Sequence, residues 1–197
     1  MSLLLITDIR AGLPLPEFGG DFAAHIARKR NPSVRSASLT AWNLLARGMG
    51  QLGFDALPAV RFGSQGKPKF IDSPVHFSLA HSGNLAAALL SDAPCGVDIE
   101  RVRAETARRL RDRCMSDREQ EGGFGFFECW TKKECIGKLD GKGIDARPTR
   151  IDTLDAQWTG RFFTRRVTDS SGKEYALTAL CGDANKLILQ KIESEAL

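Results

Sequence analysis

Two short stretches hold residues whose types and spacing can do chemistry: Gly96-Val97-Asp98-Ile99-Glu100 and Trp130-Thr131-Lys132-Lys133-Glu134-Cys135-Ile136-Gly137-Lys138. In the first, the β-branched Val97 and Ile99 share one parity while Asp98 and Glu100 share the other, the pattern of a strand. Residues two apart on a strand lie roughly 7 Å apart, so both carboxylates can flank one divalent cation. In the second, Trp130, Glu134 and Lys138 recur every four residues and predict one helical stripe with an acid one turn below an ammonium. Two carboxylates from a strand, a third from a helix and a nearby lysine are what Mg²⁺ and a phosphate ester require. Singly, each has a plainer reading. Asp98 and Glu100 suit the wet side of an edge strand, and Glu134 with Lys138 suits an i,i+4 pair contributing about 0.2–0.5 kcal/mol.

Together, CGVDIE and WTKKECIGK resemble the two signature stretches of the Sfp-type 4′-phosphopantetheinyl transferases, (V/I)G(V/I)D(V/I)E followed by WxxKE(A/S)xxK. Further segments extend the resemblance from about Arg35 to Ile144. Gly66-Lys67-Pro68 matches the family's GKP element, Phe77 to Asn84 (FSLAHSGN) its FNISHSG turn, and Gly141-Lys142-Gly143-Ile144 its GKG(L/I) segment. Gly137 departs from the pattern, where a larger apolar residue is usual; glycine inside a helix costs roughly 1 kcal/mol against alanine.

The resemblance implies transfer of the 4′-phosphopantetheine arm of coenzyme A to a serine of an apo acyl carrier protein or peptidyl or aryl carrier domain, releasing adenosine 3′,5′-bisphosphate. It implies Mg²⁺ held by Asp98, Glu100 and Glu134. Glu134, Lys138 and Glu119 are then the catalytic candidates, and Arg35, Lys67, Pro68, His81, Ser82 and Lys138 the coenzyme contacts. The implied fold is α+β, with two similar lobes related by a pseudo-two-fold, each a small antiparallel sheet packed with helices. These divide as 1–102 and 103–197. A non-catalytic module that binds coenzyme A or a carrier is the alternative from another class, and intact acids at 98, 100 and 134 argue against it. The smaller holo-carrier-synthase type builds its cleft between subunits, whereas the length here favours a cleft within one chain, and so a monomer.

The other elements must position those residues. Leu3 to Ile9 predicts a strand, Gly12 to Gly20 a loop, and Phe22 to Arg30 a short helix ending in Arg28-Lys29-Arg30. From Ser36, residues Leu39, Trp42, Leu45, Met49 and Leu52 recur at helical spacing up to Gly53. Ala59 to Phe62 and Lys69 to Ile71 bracket a turn, and Val75 to Ala80 and Leu85 to Leu90 flank the His81-Ser82-Gly83-Asn84 turn. Thr106 to Arg113 reads as helix. Ser116-Asp117-Arg118-Glu119 satisfies the S-x-x-E capping box, so Glu119 has a structural reading beside the catalytic one. Beyond Ile151 the pattern is β: Gln157 to Thr159, Arg161 to Thr168, a turn at Asp169 to Gly172, Tyr175 to Cys181 and Leu187 to Ile192.

With 197 residues, 42% hydrophobic and 26% charged, the chain can bury one sizeable core or two small lobes. Its net charge of +4 is uneven, with Arg101, Arg103, Arg108, Arg109, Arg111 and Arg113 crowded after the acidic strand. That run is either a solvated helix face or a docking surface for an acidic partner. No nucleic-acid motif accompanies it. Five cysteines without a CxxC pair imply neither a disulfide framework nor a zinc site, and reduced thiols suit the cytoplasm. The opening apolar run is too short for a signal or a membrane span.

Overall fold

The computed structural model describes residues 1–144 and 147–197. The elements are, in order, β1 (Ser2–Asp8), α1 (Phe22–Ala27), α2 (Pro32–Gln51), β2 (Val60–Phe62), β3 (Pro68–Phe70), β4 (His76–Ser82), β5 (Leu85–Ser91) and β6 (Gly96–Arg101). Then come α3 (Ala104–Cys114), α4 (Asp117–Glu121), α5 (Phe126–Asp140), β7 (Phe162–Thr168), β8 (Glu174–Leu180) and β9 (Leu187–Lys191). Among the described residues no helix is long and apolar enough to cross a membrane. The five cysteines are free and buried.

The chain is α+β, as expected. One sheet has the order β4-β5-β1-β9 and a second has the order β6-β8-β7. Strand parity assigns their faces. Leu3, Leu5, Ala86, Ala88 and Leu90 pack with Trp42, Leu45 and Met49 of α2. Leu4, Ile6, Leu85, Ala87 and Leu89 turn the other way and pack on Val97, Ile99, Tyr175, Leu177 and Ala179 of the second sheet. β1 is therefore apolar on both faces, which explains its unbroken run of leucines. The opposite side of the second sheet meets α5, where Thr178 Oγ1 lies 2.7 Å from Thr131 Oγ1. Helix, sheet, sheet, helix is the resulting stack. β6 hydrogen-bonds to β8 and β9 runs parallel to β1, so each half of the chain lends a strand to the other half's sheet.

Several element ends differ from expectation for local reasons. α2 starts at Pro32, not Ser36, because Asn31 Oδ1 accepts from Ser33 N at 2.9 Å and proline occupies the first turn. Gln157 to Thr159 is not a strand. Residues Ala156–Trp158 form a 3₁₀ turn, with Asp155 Oδ1 accepting from Gln157 N at 2.9 Å. Gly137 has a packing reason. A Cβ there would stand 2.7 Å from the Gly143 carbonyl carbon, and Gly143 N–H donates to Gly137 O at 2.9 Å. The segment after α5 folds back against the helix where only glycine leaves room.

Glu119 ties this second half together. Both halves of its capping box are formed, Glu119 Oε2 accepting from Ser116 N at 2.8 Å and Ser116 Oγ from Glu119 N at 3.3 Å. The same carboxylate accepts from Thr153 Oγ1 at 2.7 Å and pairs with Lys133 Nζ at 2.9 Å, both side chains fully buried. Lys133 Nζ also donates to Pro148 O at 3.0 Å and Ile151 O at 2.5 Å. Burial alone would raise the Glu119 pKa, but the ammonium, Thr153 and the capped N–H outweigh it and hold it below the ordinary glutamate value.

Glu119→Gln keeps the cap but leaves Lys133 buried without its counter-charge, so it should cost about 3 kcal/mol at neutral pH, the low end for breaking a buried pair because two carbonyls remain. The folded carboxyl holds its proton less tightly than the unfolded chain's, so this stability is complete above the ordinary glutamate value and is lost as pH falls through the lower folded one. Urea unfolding of both proteins from pH 7 to 3 should show the gap narrowing; a gap independent of pH would disprove the ion pair's contribution. Gly137→Ala gains helix propensity but forces backbone apart, and should lower stability by about 1–3 kcal/mol on the same measurement. A stabilised alanine variant would contradict the close approach.

Candidate active site

The site lies where β4, an edge of the first sheet, runs beside β6, an edge of the second. No backbone ladder joins them. Instead Ser78 Oγ accepts from Val97 N at 3.1 Å, and Ser82 Oγ accepts from Arg101 N at 3.2 Å while donating to Glu100 Oε2 at 2.8 Å. Two serines four apart on one strand face thus satisfy an edge that would otherwise bury unpaired donors. A third close approach fixes the depth of β6, since a Cβ on Gly96 would lie 2.2 Å from Cys135 O of α5.

Val97 and Ile99 enter the core between the sheets, so Asp98 and Glu100 face the α5 side, as the strand parity predicts. Lys138 Nζ reaches Asp98 Oδ1 at 2.7 Å and Val97 O at 2.9 Å. Asp98 is only 6% exposed, and its buried Oδ2 has no hydrogen-bond partner among the described residues. Desolvation pushes the Asp98 pKa up to about 7 against the pull of Lys138, with Glu134 and Glu100 adding repulsion. Glu134 is likewise raised, first by burial and then by Glu100, with Lys138 opposing. Burial alone would lower the Lys138 pKa, but Asp98 outweighs it and holds it above the ordinary value.

The structure therefore brings Asp98, Glu100, Glu134 and Lys138 into one electrostatic neighbourhood. Among the described residues, no three His, Cys, Asp or Glu side chains stand close enough to hold a metal ion. The seat on Asp98 Oδ1 belongs to the Lys138 ammonium. An orphaned, buried carboxylate oxygen beside two mutually repelling carboxylates is nonetheless an all-oxygen donor set suited to a hard divalent cation. Glu119 is not brought to this group; its carboxylate is committed to Ser116, Thr153 and Lys133.

Two cavities meet at Lys138. One, of about 310 Å³, is lined by His25, Ser38, Phe62, His81, Asp98 and Lys138 among others. The other, of about 250 Å³, is lined by Lys67, Phe77, Leu79, Gly137, Lys138 and Gly143 among others. Lys67 does not point freely into either. Its Nζ donates to Leu139 O at 2.9 Å and Cys95 O at 3.4 Å, clasping the end of α5, and desolvation lowers its pKa. Pro68 lines both cavities. His81 stands at the cavity wall, its pKa lowered by desolvation and then by the charges of Lys29 and Lys138. Arg35 is exposed in the first turn of α2 and lines neither cavity.

Some contributors were not visible as site residues in the sequence. Ser78 could have been suspected from its shared face with Ser82. Lys29, which acts on His81, lay in a basic run with no motif. Tyr175, the only tyrosine, is fully buried; its hydroxyl donates to Asp169 Oδ2 at 3.0 Å and accepts from Asn84 N at 2.9 Å. It thereby fixes the His81 to Asn84 turn from the opposite sheet, against Gly83, where a Cβ would meet the hydroxyl at 2.5 Å.

The family model of the 4′-phosphopantetheinyl transferase superfamily matches residues 94–180. The chain is 36% identical over 121 residues to the 4′-phosphopantetheinyl transferase AcpT of Salmonella typhimurium, covering 55% of this chain and 60% of that one. It is 32% identical over 97 residues to the 4′-phosphopantetheinyl transferase Sfp of Bacillus subtilis, covering 43% of each. To the 4′-phosphopantetheinyl transferase psf-1 of Bacillus pumilus it is 37% identical over 89 residues, 40% of this chain and 38% of that one. The chain thus spans between about two fifths and three fifths of the length of these relatives. The residues that this family model matches contain Asp98, Glu100, Glu134 and Lys138.

Proposed function

We propose that this protein transfers the 4′-phosphopantetheine arm of coenzyme A to a serine of an apo acyl, peptidyl or aryl carrier protein, releasing adenosine 3′,5′-bisphosphate with Mg²⁺ bound. The observation that carries the reading is Asp98, which lines a cavity shared with His81 and whose buried Oδ2 has no hydrogen-bond partner among the described residues, in the electrostatic neighbourhood of Glu100, Glu134 and Lys138. Asp98, Glu100 and Glu134 would hold the ion. When bound, it neutralises pyrophosphate charge.

The chain's own residues do the rest. His81 walls the larger cavity for the coenzyme and Lys67 the smaller, with Pro68 lining both, while Ser82 holds the turn through Arg101 N and Glu100. Arg35 supports an anion-binding reading on physical grounds, since a cation in a helix's first turn opposes the macrodipole unless an anion accompanies it. The raised pKa of Glu134 suits it to accept the serine proton as the serine oxygen bonds to phosphorus and the bond to the nucleotide phosphate breaks. Lys138 can meet the charge that develops on the leaving phosphate. Glu119 then serves indirectly, by holding α5 through Lys133.

The two-lobe reading, divided near residue 102, is supported by one long helix, α2 or α5, covering the outer face of each sheet. A cytoplasmic monomer is the expected state. The exposed Arg108 and Arg109 on α3 suit an acidic carrier.

Mass spectrometry of an apo carrier incubated with coenzyme A and Mg²⁺ tests the activity; an unmodified carrier would refute it. Asp98→Asn keeps an acceptor for Lys138 but removes the charge, and should lower turnover by a factor of about 10² or more by analogy with lost charge-stabilising groups. Unchanged turnover at saturating Mg²⁺ would rule out the assigned ligand set. His81→Ala should weaken coenzyme A more than dephospho-coenzyme A if it meets the 3′-phosphate, and equal losses would place it elsewhere. The carrier KM should rise with salt more steeply than the coenzyme KM, and Arg108→Glu with Arg109→Glu should raise the carrier KM selectively. A salt-insensitive carrier KM would leave α3 a solvated face.

A further inference from the structure

We propose that Lys138 is the resident counter-ion of Asp98, and that the phosphates of the coenzyme must draw it off before a divalent cation can take that carboxylate. This rests on the reading of the site given above. The Lys138 ammonium is seated between two acceptors, Asp98 Oδ1 at 2.7 Å and the main-chain oxygen of Val97 at 2.9 Å. It is the cation already serving the buried carboxylate, whose other oxygen has no donor among the described residues. A divalent ion arriving on Asp98 would stand within a few ångströms of that ammonium, a repulsion that water screens poorly at a residue only 6% exposed.

The ammonium has somewhere to go. Lys138 is 28% exposed at its side chain, and it lines both cavities that meet at α5, so its flexible stem can swing the charge into either. A phosphate in the cavity supplies the replacement partner. Lys133, on the same helix, is the contrast, since it is fully buried among Glu119, Pro148 O and Ile151 O and has no such freedom. The arrangement makes metal affinity conditional. The chain alone binds the ion weakly, coenzyme enters first, and the site for the cation is completed by its arrival.

The test is direct binding of Mn²⁺, read from the electron paramagnetic resonance signal of the free ion, on the full chain with and without coenzyme A. Lys138→Met should bind Mn²⁺ in the absence of coenzyme about tenfold more tightly than wild type, or better, since a neighbouring positive charge is gone. Coenzyme A should then tighten Mn²⁺ binding less in the variant than in wild type. Lys138→Arg, which keeps the charge, should retain the weak unassisted binding. If Lys138→Met fails to fold by thermal unfolding, Lys138→Gln makes the same comparison. A neutral variant binding Mn²⁺ no more tightly than wild type without coenzyme would overturn the proposal, as would a wild-type affinity indifferent to coenzyme. Absence of Mn²⁺ binding by every protein even with coenzyme A would instead refute the three-carboxylate site itself, and the proposal with it.

Discussion

The structure depends on how the open edge of β6 is closed. An edge strand carries main-chain donors and acceptors that need partners, and here the neighbouring sheet supplies no ladder. Two serine hydroxyls from β4 take the N–H groups of Val97 and Arg101, and the Lys138 ammonium takes the Val97 carbonyl. Side chains in place of a ladder hold the sheets at a distance that leaves room for cavities between them. The acidic residues of β6 face the α5 side, and Asp98, though buried, lines one of those cavities. Ser82 shows the economy of the arrangement, accepting from one main-chain N–H while donating to Glu100, a carboxylate of the site.

α5 carries two lysines five residues apart that are used in opposite ways. Lys133 is buried with fixed oxygen partners on the side of α4 and the 148–153 segment. Lys138 faces the cavities. The first kind of contact anchors the helix and the second leaves a charge available to it, because rigidity on one flank lets the other be responsive. Gly137, immediately before Lys138, contributes by admitting the Gly143 backbone, which becomes wall for the cavity beside the lysine.

Much of the site was legible from short-range pattern. Strand parity separated Asp98 and Glu100 from Val97 and Ile99, and helical period aligned Glu134 with Lys138. The capping box at Ser116 was legible too, because two residues, Ser116 and Glu119 at S-x-x-E spacing, specify it. What the pattern lacked was the partner from elsewhere. Nothing periodic joins Glu119 to Lys133, Ser78 to Val97 or Tyr175 to Asn84, and each pair meets only because sheets and helix are stacked. Gly137 was misread for the same reason. Its local effect on helix propensity is unfavourable, and the compensating contact comes from a loop that a propensity argument does not see.

The exchange of strands between the two sheets has a consequence for how the molecule is made. β1 pairs in parallel with β9, contributed from Leu187–Lys191, so the register of Ser2 with Leu187 joins strands at opposite ends of the element order. During vectorial synthesis β1 can find β5 but keeps its other edge bare until β9 emerges. Closing so long a loop is entropically slow, and contacts of this separation delay folding more than they alter final stability. β6 raises the same difficulty, since its partner β8 follows only after α3, α4, α5 and β7. Each sheet thus takes a strand from the other half of the polypeptide, and completing either one requires contacts of long sequence separation.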